Sequence, residues 1–398
     1  MGNLKGKRLL VQGAGRGNLG IMKAAIRNGV YTIVTGLGGD YPCIPLANKN
    51  VYADISNPDD ILAVAEREKI DGAIICCSDT GLKAIGRCND ILGLSGLTEE
   101  SADVSSNKLL MKQRLIENNV RTAMFVKVSC EDDLRKADEE LKYPLIVKAT
   151  DLQGSRGITV VRDPSNLKEA FEDVMKLTKK DYCIVEEFIT GREMGAQSFV
   201  YNGQVLFVLP HGDETFMAKT AVPIGHYMPY EISEDLRADI EIQARKSISA
   251  LGFNNSAVNI DFIEKDGKVY VIELTGRVGA NCLPELTSNY FGFDYYEMIL
   301  RTALGESPIP IFESRKQPMA TMSRMIQSRV SGVVKKIYVP DNLPGEVHLF
   351  VHEKSAVRAF TNSNDAVGEV IVKGLTLSEC DEKLTNIINS ILIEIEMA

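Results

Sequence analysis

The chain has no tryptophan and only four histidines among its 398 residues. His211, His226, His348 and His352 are too few and too scattered to complete a zinc site of usual spacing. Aromatic residues make up 7%, which argues against a platform for stacking bases or sugars. The eight cysteines (43, 76, 77, 88, 130, 183, 282 and 380) contain no C-x-x-C pair. Cys76-Cys77 continues the apolar run Ala73-Ile74-Ile75, so at least one of them reads as a small hydrophobe, in keeping with the reduced thiols of a cytosolic chain. Positive charge is also short: 45 Lys and Arg against 54 Asp and Glu leave a net charge of −9. No stretch is uniformly basic, so the electrostatic footprint of a nucleic-acid partner is missing. No apolar run approaches the about 18 residues that span a bilayer. The N-terminus enters the strand Arg8-Leu9-Leu10-Val11-Gln12 without an apolar leader segment. A cytoplasmic chain without nucleic-acid or membrane partners is the expectation.

What is present is ordinary globular composition, 44% hydrophobic and 25% charged. At roughly 150 residues per domain the length allows two or three domains. Strands at 8–12, 30–35 and 72–77 alternate with helices at 19–28, 58–68 and 79–90. That alternation predicts a parallel, doubly wound sheet over 1–100. Residues 101–118 read as helix with a break. From 120 onward short strands dominate (145–149, 158–162, 183–188, 195–201, 204–209), with hairpin turns at Asn202-Gly203 and Asp266-Gly267. Helices at 165–177, 233–252 and 292–304 interleave. Beyond Pro308-Ile309-Pro310, strands at 333–339, 346–352 and 368–373 precede a final helix from Thr376 to about Ile393. The fold class is therefore α/β followed by α+β, in three lobes: 1–100, 101–310 (with a smaller lobe at about 120–190) and 311–398.

Gly15-Arg16-Gly17-Asn18-Leu19-Gly20 satisfies G-x-G-x-x-G between a strand and a helix, the pattern of a dinucleotide site. The acidic residue that should end the second strand is absent, since Val34-Thr35-Gly36-Leu37-Gly38 stands there. A tight turn in a Rossmann-like sheet is the favoured reading over NAD binding. Lys148 ends a strand before Gln153-Gly154-Ser155-Arg156-Gly157, a glycine and serine loop able to fold over phosphates. Val185-Glu186-Glu187-Phe188-Ile189 and Glu193 place carboxylates where an adenine edge and a ribose could be read, or where an edge strand meets solvent. Asp261 and Glu273 face each other if the hairpin register centres on Asp266-Gly267. Opposed carboxylates repel unless cations lie between them, and hard oxygen ligands suit Mg²⁺ carrying phosphates. Thr275 and Arg277 follow at alternate positions.

Taken in order, Lys108, Lys148, the glycine loop, Val185–Glu193, and Asp261 with Glu273-Leu274-Thr275-Gly276-Arg277 resemble the ATP-grasp superfamily. The similarity covers nearly the whole chain and is strongest to its amino-acid and peptide ligases. A C-terminal piece similar to that of biotin carboxylase and carbamoyl phosphate synthetase completes it. The resemblance implies an N-terminal pre-ATP-grasp domain, a two-lobed ATP-binding region and a small C-terminal subdomain. It implies ATP as cofactor with two Mg²⁺ ions, or Mn²⁺ in their place, and it allows a homodimer. Lys108 and Lys148 would contact the α- and β-phosphates, and Ser155 to Gly157 would close over the β/γ end. Glu186 with the backbone of Glu187 and Ile189 would read adenine, and Glu193 the ribose. Asp261, Glu273 and Thr275 would hold metal, Thr275 standing where Asn is common. Arg277 would steady a carboxylate or its acyl phosphate, and Lys219 the γ-phosphate.

His226, in Val222-Pro223-Ile224-Gly225-His226-Tyr227-Met228-Pro229, either orients a substrate carboxylate, accepts a proton from an amine, or packs in a turn between the prolines. Asn281 and Glu285 are either near the substrate or at a helix N-terminus, and Gly279-Ala280 replaces a common Gly-Gly pair. The function implied is an ATP-dependent carboxylate–amine ligase that works through an acyl phosphate on an amino acid or small peptide, with small-molecule acid and amine substrates. Carbamoyl- or carboxyphosphate chemistry and a non-catalytic ATP-binding protein are the alternatives.

Overall fold

The strand Arg8–Gln12 is flanked on both sides by parallel neighbours, Tyr31–Gly36 and Gly72–Ile74, and Lys49–Tyr52 adds a fourth strand at the edge. Leu9, Leu10 and Val11 are fully buried, as a strand covered by helices on both faces requires. The computed structural model describes residues 2–152, 157–217 and 221–397. The glycine-rich turn after Gln12 is fixed by Asn18. Its amide donates to the carbonyls of Gln12 (2.8 Å) and Gly13 (2.7 Å), and its oxygen accepts from the N–H of Cys76 (2.8 Å).

The expected break near 107 is present. Helix Glu99–Ser106 stops at Asn107, whose side chain accepts from Leu109 and Leu110 N–H and starts helix Lys108–Glu117. A second, antiparallel sheet follows, ordered Phe125–Val128, Cys183–Glu187, Leu145–Lys148, Ile158–Val161. The third sheet is the backbone of the molecule. Its eight strands run Lys268–Thr275, Ser256–Lys265, Arg192–Tyr201, Gln204–Met217, Ala221–Met228, Ala320–Gln327, Ala366–Gly374, Glu346–Leu349. The C-terminal strands thus extend the sheet that carries the acidic hairpin. The join is the long strand Gln204–Met217, whose first half pairs with Arg192–Tyr201 and whose second half pairs with Ala221–Met228.

The sequence reading named no strand at Phe125–Val128 or Ala320–Gln327 and no helix at Glu131–Glu140 or Leu283–Phe291, and three of the elements it did name differ. The strand expected at 204–209 continues to Met217, past Pro210, which keeps its place in the ladder. The segment holding His226 is a strand, not a turn: it pairs on one side with Gln204–Met217 and on the other with Ala320–Gln327. Pro223, which has no N–H to give, sits where the register slips between Glu214 and Thr215. The final helix ends at Ser390, and Leu392–Met397 forms a strand on Gly332–Tyr338. No helix among the described residues is long and apolar enough to cross a membrane.

Candidate active site

The acidic hairpin folds about its turn. Asp266 (φ 53°) and Gly267 (φ 71°) both take the left-handed conformation that a two-residue hairpin needs. That turn alone would pair Asp261 with Ile272; a bulge between Asp261 and Phe262, with Ile272 as the extra residue, sets Asp261 opposite Glu273 and Asn259 opposite Thr275. Asp261 lies deep in the molecule yet opens onto solvent. Restricted hydration and then the Glu273 carboxylate push its pKa up to about 7, with Arg277 acting the other way. Because its surface is open, like-charge repulsion is the cause the geometry supports best. Lys108 comes to the same place from the first turn of its helix. Its Nζ is 3.3 Å from Glu273 Oε2 and donates to the carbonyl of Leu152 at 2.9 Å.

The donors suit a hard divalent cation. Two carboxylates are set opposite each other, and the Thr275 hydroxyl, buried, finds no hydrogen-bond partner among the described residues. An orphaned buried hydroxyl costs about 1–3 kcal/mol unless something binds it. Asn259, which sequence reasoning missed, links this pair to the sheet. It donates to Asp261 Oδ1 (3.0 Å) and accepts from Gln197 Nε2 (2.6 Å), while Gln197 Oε1 accepts from Gly279 N–H (3.0 Å).

Arg277 is held in a fork. Its Nε is 2.7 Å from Asp79 Oδ1 and its terminal nitrogen 3.1 Å from Asp79 Oδ2. Burial opposes the charge, but Asp79 outweighs it and the guanidinium's pKa is raised. Asp79 comes from the end of the N-terminal sheet, so an element 198 residues away positions this arginine.

The smaller lobe supplies the second group. Glu186 is 2% exposed and lies between Lys112 (2.6 Å) and Lys148, both in ion pairs with it. Burial would raise its pKa, but the two ammonium groups more than offset this and bring it to about 2. Lys112 was not singled out from sequence. It also donates to Thr122 Oγ1 (2.9 Å), which donates to the carbonyl of Val271 (2.7 Å) on the acidic hairpin. A continuous chain of polar contacts thus joins Glu186 to the strand of Glu273. Glu187 gives its N–H to the carbonyl of Met124, and its carboxylate accepts from the N–H of Lys142. The N–H of Ile189 makes no backbone bond among the described residues. Glu193 is exposed on the strand beside Asp261, paired with Ile263. The carbonyl of Gly157 accepts from Ala149 N–H (2.8 Å). Ser155 and Lys219 lie outside the described residues.

His226 is buried, and its Nδ1 lies 2.6 Å from Asp213 Oδ1. The same oxygen is 2.8 Å from Nδ1 of His211. Burial works against the Asp213 charge, yet the two imidazoles hold its pKa well below the usual carboxylate range. Burial keeps His211 neutral by lowering its pKa. Neither His211 nor Asp213 was legible as a site residue, because the strand that carries them was read as ending before them.

The glycine motif is a packing device at two of its three glycines. A Cβ on Gly20 would lie 2.0 Å from the Tyr296 ring, and one on Gly17 would lie 2.7 Å from Cys77 Cβ. Gly15 faces open space. Asn281 (φ 54°) borders the same region.

Residues 141–285 match the model of the ATP-grasp domain. A D-alanine–D-alanine ligase from Pediococcus pentosaceus is 29% identical over 218 residues, 52% of this chain and 60% of its own length. The chain therefore spans less than two thirds of that ligase. A formate-dependent phosphoribosylglycinamide formyltransferase from Pyrococcus furiosus is 24% identical, covering 82% of this chain and 78% of its own. A crystal structure of phosphoribosylglycinamide synthetase from Anaerococcus prevotii is 45% identical, with a TM-score of 0.88 over 98% of this chain and 100% of that one. An L-amino acid ligase from Bacillus licheniformis, 20% identical, shares the fold at a TM-score of 0.82 over 98% and 99% of the two chains. The chain belongs to the ATP-grasp ligases, which form carbon–nitrogen bonds.

Proposed function

We propose that the protein is an ATP-dependent carboxylate–amine ligase that activates a small carboxylic acid as its acyl phosphate and releases ADP and phosphate. The observation that carries this reading is the convergence of Lys108, Asp261 and Glu273 on one spot, with Arg277 held rigidly nearby by Asp79. In this reading Lys108 and Lys148 bind the α- and β-phosphates, Ser155 and Gly157 cover their distal end, and Lys219 meets the γ-phosphate. Glu186, the Glu187 carbonyl and the Ile189 N–H receive adenine, and Glu193 the ribose.

Asp261 and Glu273, with the Thr275 hydroxyl, would hold Mg²⁺, which when bound offsets phosphate charge. The acid's carboxylate oxygen attacks the γ-phosphorus and the bond to the β-phosphate oxygen breaks. The amine nitrogen then attacks the acyl carbon, phosphate leaves, and the amine proton passes to a base, the role given to His226. Arg277 steadies the negative charge that develops on the acyl oxygen and phosphate. Catalysis is mainly positioning and charge neutralisation.

The test is release of ADP with Mg-ATP and pooled amino acids in the presence of hydroxylamine. Hydroxamate dependent on one pool is expected. ADP formed with no hydroxamate from any acid would overturn the acyl phosphate.

A further inference from the structure

Directly opposed residues of a sheet share a face, and Glu273, Asp261, Gly195 and His211 stand opposite one another across four consecutive strands. Two strand spacings, roughly 10 Å, separate the backbone of His211 from that of Asp261. Asp213, two residues on, faces the same way as His211, and His226 is its cross-strand partner. Glycine is required between the acidic hairpin and this group, since a Cβ on Gly195 would lie 2.4 Å from the His211 ring. We propose that His211, Asp213 and His226 form a second metal site, for a borderline divalent ion such as Zn²⁺, apart from the all-oxygen site of Asp261, Glu273 and Thr275.

Convergence is the first argument. The Nδ1 atoms of His211 and His226 approach the same Asp213 oxygen, at 2.8 and 2.6 Å, and the two rings stand at 80° to each other. One ligand atom from each of the three residues lies within 4.8 Å of the other two. Small side-chain rotations would bring all three onto one ion at bonds of about 2.0–2.2 Å. Both imidazoles are buried, while Asp213 keeps 15% of its side chain exposed and gives an ion its way in. No zinc motif of usual spacing shows the set in the sequence, because 13 residues separate Asp213 from His226.

Donor chemistry is the second argument. Two imidazole nitrogens and a carboxylate select Zn²⁺, Co²⁺ or Ni²⁺ over Mg²⁺, which prefers oxygen ligands and keeps its water. Burial keeps His211 neutral, and the neutral ring is the one that ligates. The same contacts can be held by two N–H donors on one carboxylate oxygen, and that hydrogen-bonded cluster is the alternative. An ion on Nδ1 of His226 would move the ring proton to Nε2 and block the base assigned to the amine step. That consequence rests on the ligase reading, whereas the site itself does not.

Equilibrium dialysis of the chelator-treated full chain against Zn²⁺, without ATP and with a large excess of Mg²⁺, tests the site. One Zn²⁺ per chain is expected to be retained, and X-ray absorption of the adduct should show two imidazoles and no sulfur. His211→Ala and Asp213→Asn should each weaken Zn²⁺ binding 10-fold or more, and Asp261→Asn less than 3-fold. Unchanged melting temperatures show that the variants fold, and if one does not, the ligand shell of the wild type decides. Displacement of Zn²⁺ by Mg²⁺ overturns the proposal, as does a shell of sulfur or of oxygen alone. Undiminished binding in folded His211→Ala and Asp213→Asn overturns it in favour of the hydrogen-bonded cluster. With Zn²⁺ bound, amide synthesis should fall at least 10-fold while hydroxamate formation persists. Absence of hydroxamate from the metal-free protein would overturn the ligase reading and leave the metal site to stand on the dialysis.

Discussion

Asp79 grips Arg277 with both carboxylate oxygens, at 2.7 and 3.1 Å, across the junction between the N-terminal sheet and the acidic hairpin. The pair is largely buried, so neither partner is free to wander. Fork-to-fork geometry fixes the plane of the guanidinium as well as its position. Asp79→Asn keeps the shape but loses the charge and one acceptor. Turnover should fall about 100-fold, the scale of a misplacement near 1 Å. Arg277→Ala should cost about 10²–10³-fold, as for loss of a preorganised charge stabiliser. Steady-state kinetics check both. Asp79→Asn at wild-type kcat would separate Arg277 from its orienting partner.

The orphaned Thr275 hydroxyl gives a two-sided test of the cation site. Thr275→Val removes the hydroxyl and keeps the volume. The unliganded protein should melt at the same temperature or higher, since about 1 kcal/mol or more of unmet hydrogen bonding disappears. Its apparent affinity for Mg²⁺, read by titration at fixed ATP, should weaken several-fold. Weaker metal binding in a protein of undiminished stability identifies a ligand. Lower stability with unchanged metal affinity would instead make Thr275 a structural residue.

His226 should matter for the amine step and not for activation. Its Nδ1 is committed to Asp213, which leaves Nε2 as the proton acceptor. His226→Gln should lower amide synthesis about 100-fold, within the range of a lost general base. Hydroxamate formation should persist, because hydroxylamine is already unprotonated at neutral pH. Asp213→Asn should show the same split, more weakly. Equal loss in both assays would remove His226 from proton transfer.

Legibility from sequence followed contact distance along the chain. Asp261 and Glu273 could be assigned to one hairpin from Asp266-Gly267, but that turn alone pairs Asp261 with Ile272, and the bulge that brings Glu273 opposite it leaves no local signal. Lys148 and Glu186 were visible separately, but no local pattern says that Lys112, on a helix, closes on the same carboxylate. Asp79 and Arg277 meet only because two sheets dock. His211 and Asp213 were hidden by Pro210, which reads as a strand terminator and here continues the ladder. The glycine motif misleads in the opposite direction. Its spacing suggests phosphate chemistry, whereas Gly17 and Gly20 answer to the Cys77 side chain and the Tyr296 ring. Sequence spacing records that glycine is needed but not what approaches it.

The cluster of Glu186 with Lys112 and Lys148 predicts a specific acid sensitivity. Glu186 has a pKa of about 2 in the folded chain against 4.5 for the free side chain. A depressed carboxylate stabilises the fold above its unfolded pKa and loses that contribution as pH falls toward the folded one. By linkage the contribution is about 3 kcal/mol above pH 4.5, declining toward pH 2. Glu186→Gln leaves two buried ammonium groups without their counter-charge, a loss of about 3–5 kcal/mol by comparison with other broken buried pairs. The gap in melting temperature between wild type and Glu186→Gln should therefore be widest near pH 6 and narrow steadily below pH 4.5. Melting curves at pH 6, 4.5 and 3.5 check it. A gap that stays constant would mean that Glu186 is not titrating against the two lysines, and that the variant is weakened by packing alone.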